Sequence, residues 1–137
     1  MKIKTQDLTG PALDWAVAKC DALIGLNQGF TVIDGAPHVI GRQGAKGGLS
    51  RAGYSHQWHE SGPIIEREKI RLDQSDHPEM WPWFATKVTG WEKREDEEMG
   101  DWPVYAEAGG DTPLVAAMRC YVASKLGAEI DVPDELV

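Results

Sequence analysis

Between Leu8 and Gly25, apolar side chains recur at Leu13, Ala16, Val17, Cys20, Leu23 and Ile24, the three-and-four spacing that gathers them on one side of a helix. Thr9 stands where a cap is needed, Leu8 is placed to staple against the first turn, and Gly25 supplies a stop, so a helix is predicted from about Pro11 to Ile24. The same spacing returns at Leu114, Ala117, Met118, Tyr121, Val122 and Leu126. Asp111 or Thr112 caps this second helix, Pro113 suits its first position, Lys125 complements its negative end and Gly127 closes it. Elsewhere the period shortens. Phe30 to Ile33 and His38 to Ile40 are β-branched runs around Asp34-Gly35, the pattern of a hairpin. Ile64 to Leu72 ends in alternating apolar and charged residues, as a strand with one wet face would, and Trp83 to Val88 predicts another strand. Together these elements predict an α+β fold, an antiparallel β-sheet packed against two main α-helices, as a single domain over residues 1–137.

Charge changes this picture more than composition does. The formal net charge is -8, which argues against a phosphate-backbone binder because such proteins carry excess Lys and Arg. Nucleic acid is therefore a disfavoured partner. The charge is uneven: residues 1–57 hold six Lys and Arg against four Asp and Glu, whereas residues 58–137 hold eight against eighteen. Much of the excess lies between Glu92 and Asp101, which reads as a solvated acidic loop. Residues 34–57 are the opposite, rich in glycine and carrying Arg42, Lys46 and Arg51 against Asp34 alone. Such a segment is a flexible loop or a loop whose amides and cations hold an anion. No apolar run approaches the roughly 18 residues of a membrane span. Cys20 and Cys120 fall on predicted helix faces without a CxxC spacing and read as buried, reduced thiols of a cytosolic chain.

Catalytic signatures fail on inspection. His56, His59 and Glu60 have neither zincin order nor a remote third ligand, so no metal site is expected. Ser50 lacks the following glycine of a nucleophile elbow, and Lys46 stands one position early for a Walker loop. No catalytic residue and no cofactor are assigned. A different inventory gathers around Arg51, Tyr54, Ser55, Trp58, Gly62, Pro63 and Glu66: aromatic faces, hydroxyls, a cation and a carboxylate among turn residues. That is what a pocket needs to stack a planar ring and fix it by hydrogen bonds, although Tyr54 and Trp58 equally suit core anchors. Arg119, alone among apolar neighbours on the second helix, is a snorkelling edge residue or a pocket cation. The expected ligand-binding set is thus Arg51, Tyr54, Ser55, Trp58, Glu66 and Arg119.

Three stretches resemble the NinX-type family of small bacteriophage proteins: Leu13 to Cys20, then Tyr54-Ser55 through Trp58 to Glu68, and Thr112 to Gly127 with Val132-Pro133. The resemblance weakens over Gly35 to Gly53 and over Trp91 to Gly110. It implies a phage gene product in the host bacterial cytoplasm and implies no activity. Set beside the aromatic and basic cluster, it leads to the expectation of a non-catalytic accessory protein that sequesters a small anionic or nucleotide-derived host immune signal. Two alternatives stand: a protein-interaction adaptor in phage recombination or host takeover, using an acidic face and exposed tryptophans, and a nucleotide-signal hydrolase using Glu66 or His59 with a metal. A host or phage protein partner and a symmetric homo-oligomer are also expected.

Overall fold

A computed structural model of the chain describes residues 1–42, 47–93 and 100–137. Among them run β1 (Lys2–Lys4), a 3-10 turn at Thr5–Asp7, α1 (Gly10–Leu23), β2 (Gly29–Ile33), β3 (Ala36–Ile40), β4 (Leu49–Arg51) and α2 (Trp58–Glu68). Then follow β5 (Arg71–Gln74), β6 (Trp83–Lys93), β7 (Asp101–Gly110), α3 (Pro113–Leu126) and β8 (Glu129–Asp131).

The α+β class holds, but the expected single sheet against two helices is wrong: three antiparallel sheets and three α-helices are present among the described residues. The sheets are β1-β8, β2-β3-β4 and β5-β6-β7. Their separation has a physical cause in the helices between them. α1 packs on β2 and β3 with one side and on α3 with the other, while α3 covers β6 and β7. Both helices can be buried on more than one side because they are built from small apolar residues: Ala12, Ala16 and Ala18 on α1, Ala116 and Ala117 on α3. On α3 every residue from Ala116 to Val122 is buried, so the expected stripe is nearly a full circumference. The Thr112 cap is present, its hydroxyl accepting from Val115 N at 3.2 Å.

The hairpin at Asp34-Gly35 is present, both residues adopting positive φ as its tight turn requires. The strand expected over Ile64 to Leu72 is not. Most of it is the end of α2, and β5 begins only at Arg71. Gly62-Pro63 reads as a break, yet proline's fixed φ is helical, and Gly62 has no Cβ to clash with the ring. α2 ends where Lys69 turns left-handed (φ 53°) and Ile70 N reaches back to Ile65 O at 3.1 Å. Glu92 and Lys93, expected in an acidic loop, close β6, and Asp101 opens β7; residues 94–99 of that loop, and Lys46 of the basic segment, lie outside the described residues.

Candidate functional site

The turn before α2 determines what faces α1. Gln57 N bonds back to Gly53 O at 2.9 Å, and Asp14 of α1 accepts Ser55 N at 2.7 Å, which fastens the turn to the core. A Cβ at Gly53 would lie 2.6 Å from Glu60 Oε2 and 3.0 Å from Gln57 Nε2, so these two side-chain tips would have to shift. Ser61 Oγ donates to Tyr54 O, locking the first turn of α2 over Tyr54. α2 buries little apolar surface, chiefly Ile64, and is held to its neighbours mainly by polar contacts.

Those contacts border a cleft of about 290 Å³. Its polar lining is Asp21, Arg42, Tyr54, His59, Glu60 and Arg67; Leu26, Pro63 and Ile64 complete it. On one side the Arg42 guanidinium pairs with Glu60, lies 5.0 Å from the Tyr54 ring centre and donates to Arg51 O at 3.5 Å. On the other side Arg67 donates to Tyr121 hydroxyl at 3.2 Å and to Asp21 Oδ1 at 3.4 Å, while that hydroxyl donates to Asp21 at 2.8 Å. Behind Arg67, Glu68 is ringed by cations, with Arg67 Nε at 3.2 Å, Lys125 at 3.2 Å and Lys87 at 3.6 Å.

Burial raises the Asp21 carboxyl above the ordinary aspartate range, against the hydrogen bond from Tyr121 and the charge of Arg67. Burial likewise raises Asp14, opposed by its bonds from Ser55. Tyr54 and Tyr121 are pushed up by burial, so both remain neutral phenols. Glu68 behaves oppositely: burial would raise it, but bonds from Arg67 and Lys125 and the charge of Lys87 hold it below the usual glutamate value. Burial pushes the Cys20 and Cys120 thiols up to about 12, so neither is a ready nucleophile.

These opposed shifts make stability depend on pH with a definite sign. Raised carboxyls bind more protons in the folded than in the unfolded chain, so the stability they contribute is full at low pH and falls as pH rises through their folded values. Glu68 contributes in the other direction, its share disappearing as pH falls through its depressed folded value. Unfolding free energy from urea titrations is therefore expected to decline as pH rises above the ordinary aspartate value of 3.8, and the combined Asp14→Asn and Asp21→Asn variant to flatten that decline. An unchanged slope in the variant would contradict this origin.

Of the six residues expected to bind ligand, Tyr54 lines the cleft and is 2 % exposed. Arg51 and Ser55 do not line it: Arg51 O accepts from Arg42, and Ser55 N donates to Asp14 of α1. Trp58 is 57 % exposed at the start of α2, beside His59, and Glu66 is exposed on the same helix. Arg119 is elsewhere: it is 4 % exposed and donates to Leu8 O and Gly109 O, both at 2.8 Å, with the Trp81 ring 5.2 Å away. It is neither snorkelling nor part of this cleft. Sequence reasoning missed Asp21, Arg67 and Tyr121. A helical reading of α2 would have shown Glu60, Ile64 and Arg67 sharing one face. Among the described residues, no three His, Cys, Asp or Glu side chains are grouped to hold a metal ion.

The fold and cleft define a small α+β protein with a charged, tyrosine-backed recess beside its second helix. Residues 4–125 match the model of the family described as Bacteriophage P22, NinX, and the chain belongs to that family. It is accordingly a phage accessory protein. A search of curated proteins finds no match. No helix among the described residues is long and apolar enough to cross a membrane.

Proposed function

We propose that this accessory protein binds, without turning over, a small anionic nucleotide-derived molecule of the host in the cleft between Arg42 and Arg67, and so withdraws a defence signal from circulation. The observation that carries the reading is the convergence of two guanidiniums on one cleft: among the described residues Arg42 Nε is buried without a hydrogen-bond partner, and Arg67 lines the same cleft. A guanidinium fork matches phosphate and carboxylate oxygens geometrically, and the Tyr54 ring beneath Arg42 holds its plane. The cleft volume of about 290 Å³ is at the small end of ligand pockets, enough for part of a nucleotide.

Calorimetry against cyclic dinucleotides and ADP-ribose derivatives tests the proposal. At least one should bind, and Arg42→Lys, which keeps the charge opposite Glu60 but loses the fork, is expected to bind about tenfold more weakly. Chromatography after long incubation should recover the ligand intact; conversion abolished by Glu66→Ala or His59→Ala would make the protein the hydrolase instead. Absence of binding across the panel by folded protein, or equal binding by Arg42→Lys, would overturn the assignment.

A further inference from the structure

β6 and β7 continue as a two-stranded ribbon past the part of the sheet that α3 covers. Ala85 and Ala108 are buried against the helix, whereas Val88, Trp91 and Tyr105 are 42 %, 65 % and 51 % exposed. Cross-strand partners share a face, and the register pairs Val88 with Tyr105 and Trp91 with Pro103, the irregularity between Val88 and Gly90 bringing Trp91 into line. These three large side chains therefore share the face turned away from α3. Among the described residues the ribbon also has an open edge, for there β7 pairs only with β6. At Gly109 that edge is already occupied, Gln6 exchanging both amide bonds with it at 2.8 and 3.0 Å as a neighbouring strand would. Since backbone direction alternates along a strand, the N–H and C=O of Glu107 and Tyr105 also point outward, and no partner for them is present among the described residues. Pro103, with no N–H, ends the open stretch on the other side.

We propose that this edge, from Tyr105 to Glu107, docks an extended segment of another protein whose apolar side chains alternate with Lys or Arg. The backbone groups supply the pairing, Tyr105 and its face supply apolar contact, and Glu107 supplies complementary charge on the edge strand itself, Lys69 and Arg71 lining the other side of the same recess. Charge decides the occupant. A second copy would bring a chain of formal charge -8 against an identical one, with the same acidic strand at the seam. The proposal is independent of the cleft and stands if the cleft reading fails.

The test is fluorescence anisotropy with two labelled synthetic peptides of equal length, one alternating valine with lysine and one alternating valine with glutamate. The lysine peptide should bind and the glutamate peptide should not. Tyr105→Pro removes an outward N–H while leaving the inward ladder to β6, and is expected to weaken binding at least tenfold with an unchanged circular dichroism spectrum. If that variant does not fold, Glu107→Lys, at an exposed position, decides: it should lose the lysine peptide by a similar factor. Equal binding of the two peptides, no binding of the lysine peptide, or undiminished binding by the folded variants overturns the proposal. A dimer in sedimentation that Glu107→Lys dissociates would overturn it in favour of a second copy.

Discussion

Replacing Arg119 by methionine is expected to lower the unfolding free energy by about 2 to 4 kcal/mol in urea titrations, with the folded fraction falling accordingly. The guanidinium lies in the interior and gives both its described hydrogen bonds to main-chain carbonyls, Leu8 O just before α1 and Gly109 O at the end of β7. It thereby ties the middle of α3 to the segment before α1 and to the end of β7. Methionine fills a similar volume but leaves Leu8 O without that donor, and the Trp81 ring loses the cation beside it. Burial depresses the guanidinium's pKa, with Asp111 and Asp7 opposing, a sign that holding this charge costs something; the loss is accordingly smaller than two charged hydrogen bonds would suggest. Gly109 O also keeps Gln6 Nε2 at 2.8 Å, which limits the damage at that end. Arg119→Lys should fall between wild type and methionine, because an ammonium cannot reach two divergent carbonyls as a planar fork does. A methionine variant as stable as the wild type would mean that desolvation cancels the bonds entirely.

Legibility in the sequence follows the range of the signal. α1, α3 and the β2-β3 hairpin were each announced by neighbours a few residues away: Thr9 and Gly25, Thr112 and Gly127, Asp34-Gly35. β1 and β8 were not, being three-residue strands whose pairing joins the two ends of the described fold, Ile3 opposite Ile130. β7 hid behind its acids and Pro103, residue types rare in central strands but permissible on an edge, which is where it lies. α2 was obscured by Gly62-Pro63, and with it went the face carrying Glu60 and Arg67. The cleft suffered from the same limit. Tyr54 and Arg42 could be picked out as an aromatic and a cation in a glycine-rich setting, but Asp21 and Tyr121 lie on helices whose local pattern speaks only of a core. Their hydroxyl-to-carboxylate bond joins positions 100 residues apart, and nothing short of the tertiary fold brings them together.

Gly110→Ala is the second large effect, expected to cost about 2 to 3 kcal/mol although it adds one methyl group. The glycine ends β7, paired with Trp83, immediately before α3 turns back over the sheet. A Cβ there would lie 2.6 Å from the backbone nitrogen of Ala116 and 3.1 Å from its Cα and from Val115 Cγ1. The φ of Gly110 is outside the left-handed region, so the cost is one of space alone. Backbone in a first helical turn cannot step aside as a side-chain tip can, and α3 is itself wedged between α1 and the sheet. Relief requires the start of α3 to lift. The displacement is then felt along a stiff helix at Tyr121, whose hydroxyl holds Asp21 beside Arg67, so the variant should also bind cleft ligands more weakly. Gly90→Ala supplies the comparison, since a Cβ there meets nothing within 4 Å; its stability should stay within about 0.5 kcal/mol of wild type. If the two variants unfold at the same urea concentration, the close approach of β7 to α3 is not what fixes the helix over the cleft.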